Sequence, residues 1–253
     1  MENYVMSLEK TTTSKDKLWI SVLGILCAVC LVLVFLITAI EAVVYWMPGY
    51  FEAEYTKYNV LNDLPPMTME DLLNVTDEMM AYLRGNREDL HVFTTMGGQY
   101  MEFFNAREIA HMDDVRDLFI GGLWIRRIGV FFTAFYALIL GIWSKKNKDR
   151  KAMLKSTVPG SLCLGTGIFF AAALVIVGIV ASDFSKYFIV FHHIFFDNDL
   201  WILNPATDML INIVPEPFFM DTAFRIALTF GIMVIVFFGL SFFLWKKNKQ
   251  SKK

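Results

Sequence analysis

Four long apolar runs constrain the fold of this chain more than any other feature of its sequence. They cover residues 18–46, 117–143, 157–182 and 226–245. Each run supplies the ~20 residues that an α-helix needs to cross ~30 Å of hydrocarbon. We therefore predict an all-α membrane protein with four transmembrane helices in a single integral membrane domain, residues 1–253.

Lysine and arginine are distributed unevenly among the segments outside these runs. The link at 144–155 has six basic residues and the tail at 246–253 has five. In contrast, the loop at 48–116 has five basic and thirteen acidic residues, and the loop at 183–222 has one basic and six acidic. Because cytoplasmic segments are enriched in Lys and Arg, we expect a multi-pass plasma-membrane protein with both termini in the cytoplasm and both loops at the outer face.

Charge and cysteine usage argue against nucleic-acid binding and against disulfide bonds in the loops. The formal net charge is −2 at pH 7, so the chain lacks the basic footprint of a nucleic-acid-binding protein. The three cysteines, Cys27, Cys30 and Cys163, all lie in apolar runs. We therefore expect no disulfide framework in the loops.

The first loop contains two local folding signals. Thr68 is followed three residues later by Asp71, and Gly85 comes at the end of the segment, which predicts a capped amphipathic helix. Its apolar stripe consists of Leu72, Val75, Met79 and Leu83. The pair Gly97 and Gly98 separates two short β-like segments, which predicts a β-hairpin.

Candidate catalytic residues occur in "NAREIAHMDDVRDLF", at the end of the first loop. If this segment is helical, Glu108, Asp114 and Arg116 share one broad face with His111, because positions three and four apart are neighbours. A carboxylate beside a histidine orients the ring and raises its basicity, which suits a general base. Taken alone, the same motif also fits a solvated helix end that leads into the membrane.

A second histidine-containing segment lies in the other loop. All four histidines of the chain lie in the two loops, and His192 and His193 precede "IFFDNDLW", which contains Asp199 and Trp201. The apolar character of this segment indicates shallow burial in the membrane. Titratable groups at that depth are costly and usually functional. The two segments together predict a site that acts on a lipid-linked substrate.

No residue is a clear enzyme nucleophile or metal ligand. A G-x-S-x-G elbow is absent, no cysteine lies in a loop, and the compact H-E-x-x-H spacing is missing. Glu108, His111, His192 and His193 could still bind a metal, so a metal-dependent membrane hydrolase is one alternative. Another is a non-catalytic accessory protein that binds partners through the acidic first loop. A third is a small-solute transporter, which would place charges or broken helices near the bilayer midplane, where here only Arg126 and Arg127 come close. Our main hypothesis involves neither a cofactor nor a metal.

Two segments resemble a known family. "REIAHMDDV" at 107–115, followed by "FHHIFFDNDLWILNPATDMLINIVPEPFF" at 191–219, is similar to the integral membrane family that contains the lipoprotein intramolecular transacylase of low-GC Gram-positive bacteria. The resemblance implies transfer of the sn-2 acyl chain of a diacylglyceryl lipoprotein to the α-amine of its N-terminal cysteine. The product would be a lyso-form N-acyl S-monoacylglyceryl lipoprotein.

The resemblance also implies roles for individual residues. His111 and His192 are the expected acid–base pair. The family pattern has a histidine directly after Phe, which selects His192, although the adjacent His193 leaves an alternative. The expected supporting residues are Glu108, Asp114, His193, Asp199 and Trp201. The expected contacts to substrate or to phospholipid headgroups come from Arg116, Arg126 and Arg127.

Overall fold

The computed structural model describes residues 2–145 and 147–250, with side chains from residue 14 onward. A two-stranded sheet consists of β1 (Phe93–Met96) and β2 (Gln99–Glu102), and a 3₁₀ turn covers Val60–Asp63. The helices are α1 (Glu2–Val44), α2 (Tyr50–Lys57), α3 (Met69–Leu83), α4 (Ala106–Ser144), α5 (Lys148–Ser182), α6 (Phe184–Phe195), α7 (Met209–Ile213) and α8 (Glu216–Gln250).

Four of these helices are long and apolar enough to cross a membrane. The qualifying segments are Ser14–Val44 of α1 and the whole of α4, α5 and α8. The predicted fold class, an all-α membrane protein with four transmembrane helices and a small hairpin, is confirmed. Helix α4 begins at Ala106, so His111 lies on the same continuous helix as the second apolar run.

One compact unit consists of the described residues within 1–38, 125–177 and 230–253. Its helices approach one another closely at glycines. A Cβ added at Gly165 would lie 2.8 Å from the Cβ of Ala28 and 3.2 Å from the backbone of Ile25. Such close approach of backbones is typical of helix packing in membranes. There the hydrophobic driving force between helices is missing, and small residues let the helices come close enough for van der Waals contacts to hold them together.

A second compact unit consists of residues 39–124 and 178–229. It contains α2, α3, the hairpin, α6 and α7. Its core is rich in aromatic side chains, and Tyr55, Tyr82 and Phe104 are each at most 2% exposed. Both histidine-containing segments belong to this unit.

Helix α3 forms as its sequence predicts. The side chain of Thr68 accepts a hydrogen bond from the backbone N–H of Asp71 at 3.0 Å, and the Asp71 carboxylate accepts one from the Thr68 N–H at 3.4 Å. Gly85 follows the helix with φ of 80°, a left-handed conformation that favours glycine. The predicted apolar stripe is buried.

The predicted hairpin is also present. Strands β1 and β2 pair antiparallel, with Met96 opposite Gln99. Gly97 and Gly98 connect them with φ of 58° and 78°. Positive φ at both central residues is the requirement of the tight turn that matches strand twist. Helices α2, α6 and α7 were not predicted, and α6 occupies a segment that we expected to be a loop.

Candidate active site

The structure brings His111 of α4 and His192 of α6 together. Their ring centroids are 6.2 Å apart and the ring planes are inclined by 35°. Both side chains are buried, with 7% and 6% of their surface exposed. Two histidines from distant parts of the chain therefore form a pair with little access to water.

The hydrogen bond of His192 defines its tautomer. Its Nδ1 lies 2.7 Å from the backbone oxygen of Phe188. A carbonyl oxygen only accepts hydrogen bonds, so Nδ1 carries the proton and Nε2 of the neutral ring has a lone pair. Burial lowers the pKa of His192 below its ordinary value of 6.5, and His193 adds to this effect, while the Phe188 bond opposes it. His192 is therefore a neutral base at pH 7.

His111 has an unused polar atom. Its Nδ1 is buried and has no hydrogen-bond partner among the described residues. Its ring is nearly perpendicular to that of Phe196, with a centroid distance of 5.4 Å. Since buried polar atoms almost always have a partner, Nδ1 is suited to bind a group of the substrate.

Aromatic rings surround His192. The centroid of its ring is 4.3 Å from that of Phe188, 5.6 Å from Phe196 and 4.7 Å from Trp201. These rings exclude water and lower the local dielectric. His193 occupies the next position of α6 and is exposed. Its ring is nearly perpendicular to that of Trp201, with ring centroids 5.2 Å apart.

The turn that carries Trp201 is attached to α4 on both sides of His111. The side-chain amide of Asn198 donates to the Asp114 carboxylate at 2.9 Å. The guanidinium of Arg107 donates to the backbone oxygen of Asp199. Asp114 thus bonds to Asn198, whereas we expected it to orient His111, and Asp199 contributes its carbonyl oxygen to this attachment.

Glu108 also has partners that differ from our expectation. Its side chain is fully buried, and its two oxygens accept hydrogen bonds from the backbone N–H groups of Asn105 at 2.7 Å and Leu210 at 2.5 Å. The side chain of Asn105 in turn accepts from the N–H of Glu108 at 3.1 Å. This is a capping box at the start of α4. Glu108 therefore supports the site by fixing the helix that carries His111.

Asp208 completes this polar network. Its carboxylate accepts from the backbone N–H of Asn204 at 2.7 Å and from the side-chain amide of Asn105 at 2.9 Å. Burial acts to raise the pKa of Asp208, but these hydrogen bonds and the one from Thr207 lower it overall. Sequence reasoning missed the parts played by Asn105, Arg107 and Asn198. Only Asn105 had a local signal, because Asn three residues before Glu is a capping pattern.

The three predicted arginines lie in different surroundings. The guanidinium of Arg116 stacks over the ring of Tyr82 at 4.5 Å and donates to the backbone oxygens of Arg87 and Glu88 at 3.3 and 3.4 Å. It therefore holds the segment that follows α3. Arg126 and Arg127 lie further along α4 and belong to the other compact unit.

Potential metal ligands do not cluster at this site. Within residues 2–145 and 147–250, no three His, Cys, Asp or Glu side chains gather as a metal ion would require. The oxygens of Glu108, the expected carboxylate ligand of that alternative, bind backbone amides.

The fold and these side chains define a multi-pass membrane protein with a buried histidine pair in its second compact unit. The model of the Lit family, lipoprotein intramolecular transacylase, matches residues 25–219, and the chain belongs to this family. It is therefore an acyltransferase that acts on lipoproteins. A search of curated proteins found no match.

Solved structures of the membrane-integral lipoprotein intramolecular transacylase Lit from Bacillus cereus have the same fold. One covers 94% of this chain and 99% of its own, with a TM-score of 0.70 and 22% identity. A second, with one histidine replaced by alanine, has a TM-score of 0.69 and 21% identity and covers 96% and 99% of the two chains. A third, with a histidine replaced by arginine, has a TM-score of 0.66 and 22% identity and covers 99% and 100%.

Proposed function

We propose that this enzyme moves the sn-2 acyl chain of a diacylglyceryl lipoprotein to the α-amine of its N-terminal cysteine. The product is the lyso-form N-acyl S-monoacylglyceryl lipoprotein. The observation that carries this proposal is the buried pair of His111 and His192, with ring centroids 6.2 Å apart. The reaction needs an acid–base group at both the attacking amine and the departing glycerol oxygen.

His192 is the general base of the proposed reaction. The α-amine, as the free base, attacks the sn-2 ester carbonyl, and the new C–N bond leaves a positive nitrogen that must lose a proton. The lone pair on Nε2 of His192 takes that proton. The hydrogen bond from Nδ1 to the Phe188 oxygen then stabilises the resulting imidazolium.

His111 is the second member of the pair. When the tetrahedral intermediate collapses, the bond between the acyl carbon and the sn-2 oxygen breaks, and that oxygen needs a proton. The histidine pair returns the proton taken from the amine to this oxygen, so no net proton is consumed. The unpartnered Nδ1 of His111 supports a hydrogen bond to the glycerol portion of the substrate.

No enzyme nucleophile is required by this mechanism. The amine and the ester belong to the same molecule, so holding them together supplies much of the rate acceleration. The aromatic rings around His192 support a dry site for this step, in which hydrogen bonds are stronger than in water.

We place the site at the outer face of the plasma membrane, with both termini in the cytoplasm and the 48–116 and 183–222 segments outside. The lysine and arginine distribution supports this orientation. Helix α6 supports contact with phospholipid, because several of its large apolar side chains are exposed: Ile189, Val190, Phe191, Ile194 and Phe195. Arg126 and Arg127 are suited to bind lipid headgroups.

Substitution of each histidine tests the mechanism. We expect His192→Ala and His111→Ala to lower the rate of lyso-form production by about 10²–10⁴-fold, the usual contribution of a general acid–base group. The assay is mass spectrometry of the N-terminal lipopeptide of a reporter lipoprotein, with the position of the acyl chain assigned by fragmentation.

His193→Ala is the matched control, since it removes an exposed imidazole from the neighbouring position of α6. We expect this variant to retain nearly full activity. Wild-type product levels from His192→Ala would remove that residue from the mechanism. Conversion of a substrate by the wild type without a shift of the sn-2 chain would refute the proposed reaction.

A further inference from the structure

We infer that Trp201 is a further catalytic residue, whose indole N–H donates a hydrogen bond to the ester carbonyl oxygen as that oxygen becomes negative. This inference rests on the proposed sn-2 acyl transfer. That reaction passes through a tetrahedral intermediate with an oxyanion. Preorganised donors at such an oxygen usually make a large contribution to the rate.

The indole nitrogen of Trp201 is a buried donor with no acceptor. The Nε1 atom is shielded from solvent and has no hydrogen-bond partner among the described residues. An indole N–H only donates, and buried indoles nearly always find an acceptor. An unpaired N–H of this kind is therefore ready to bind an oxygen of the substrate.

The indole ring lies directly against the proposed base. Its centroid is 4.7 Å from that of His192, and the two planes are inclined by only 30°. The donor is thus on a ring stacked beside the group that accepts the amine proton. The amine and the carbonyl oxygen are attached to the same carbon in the intermediate, so base and oxyanion donor must be close neighbours.

The other rings around His192 do not provide a free hydrogen-bond donor for the oxyanion. Apart from His111 and Trp201, the described aromatic side chains in contact with its ring are phenylalanines, which have no hydrogen-bond donor: Phe188, Phe191 and Phe196. His111 is already assigned to the proton path. Trp201 is therefore the neighbouring ring with a donor still to be used.

The turn that holds Trp201 is rigidly attached. Asn198 accepts from the backbone N–H of Leu200 at 3.0 Å, and Asp199 accepts from that of Ile202 at 3.1 Å. The bonds from Asn198 to Asp114 and from Arg107 to Asp199 fix this turn to α4. A donor held in this way needs no reorganisation when charge develops, which is the condition for effective oxyanion stabilisation.

Removal of the N–H with retention of the ring tests the inference. We expect Trp201→Phe to lower kcat on a diacylglyceryl lipopeptide on the order of 10²-fold, the effect of losing one oxyanion donor, while KM stays unchanged. Trp46→Phe, which alters an exposed indole, should keep wild-type kcat. Incorporation of a benzothienyl analogue at position 201, with sulfur in place of N–H, should reproduce the loss with the shape preserved.

A thionoester substrate gives a readout that a structural role would not move. Sulfur is a weaker acceptor than oxygen, so replacing the sn-2 carbonyl oxygen should slow the wild type strongly and Trp201→Phe much less. Equal sensitivity in both enzymes, or wild-type kcat in the benzothienyl enzyme, would overturn the inference. If the wild type leaves the sn-2 ester lipopeptide unconverted, the proposed function fails instead.

Discussion

The two compact units bury different kinds of polar side chain. The unit formed by 39–124 and 178–229 buries ionisable groups: Glu41, Glu54, Glu108, Asp208, His111 and His192. The described part of the other unit buries no carboxylate and no imidazole; its buried polar groups are hydroxyls and thiols, among them those of Ser161, Tyr136 and Cys27. Burying a carboxylate or an imidazole costs far more than burying a hydroxyl, so the confinement of these groups to one unit supports the site that we propose there.

The carboxylates and the histidines of that unit also differ from each other. Glu41 is paired with Arg84 at 3.1 Å and Glu54 with Arg225 at 3.0 Å. Glu108 and Asp208 accept backbone amides. Each of these carboxylates thus has a cation or a backbone amide as a partner, although one oxygen of Glu54 has none, whereas no described residue bonds to Nδ1 of His111. The carboxylates therefore hold the structure together, and the histidine pair retains bonding capacity for a substrate.

The largest expected effect on stability follows removal of Glu108. Glu108→Ala deletes two hydrogen bonds to a charged acceptor, each worth about 1.5–3 kcal/mol, and leaves the N–H groups of Asn105 and Leu210 buried without their acceptor. We expect the free energy of unfolding to fall by about 3–6 kcal/mol on this basis. Denaturation in detergent, followed by circular dichroism, measures the loss.

Glu102→Ala is the matched control for this change. The Glu102 carboxylate bonds to the exposed ring of His91 at 2.5 Å. Exposed ion pairs contribute little to stability, so the control should remain close to wild type. Equal destabilisation by both substitutions would show that the burial of Glu108 adds nothing to its contribution to stability.

A smaller effect is expected from Gly165 in the other unit. Gly165→Ala places a methyl group 2.8 Å from the Cβ of Ala28, a fixed neighbour. Overpacking of this kind costs about 1–3 kcal/mol. We expect a lower unfolding temperature in detergent with no change in the pH dependence of activity.

Gly141→Ala should have the opposite effect on the stability of the same unit. No atom lies within 4 Å of an added Cβ at Gly141, and alanine is more favourable than glycine inside a helix by about 0.5–1 kcal/mol. This variant should be slightly more stable. Similar destabilisation by both alanines would contradict close packing at Gly165 as the cause of the loss.

The sequence permitted prediction of features that depend on local signals. The four spans follow from run length, α3 follows from Thr68 and Asp71, and the hairpin follows from Gly97 and Gly98. The capping box at the start of α4 carried the same kind of signal, but the proximity of Glu108 to His111 favoured a catalytic interpretation. A carboxylate is suited both to capping a helix and to orienting a histidine, so the residue type alone did not decide between the two roles.

Other features could not be predicted from local signals. Helix α6, "FSKYFIVFHHIF", is apolar at most positions, which hides the helical period, and its aromatic and β-branched residues favour strands. The attachment of the 198–201 turn to α4 joins segments far apart in the chain. Neither partner of such a contact identifies the other without the fold.

The smallest expected effect is in the pH dependence of kcat/KM. This dependence reports on the burial of His192 in the second unit. The pKa of the substrate α-amine is ordinarily about 7.7–8.0, whereas burial holds the pKa of His192 below 6.5. Between pH 7.5 and 6.5 only the amine gains a proton, so kcat/KM should fall with a slope of one on a logarithmic plot. Only at a lower pH, once the depressed pKa of His192 is reached, does its ring gain a proton and lose its basic lone pair, so the slope should steepen towards two there. Initial rates on a lipopeptide measure this profile, and a slope clearly above one between pH 7.5 and 6.5 would show that burial does not lower the pKa of His192.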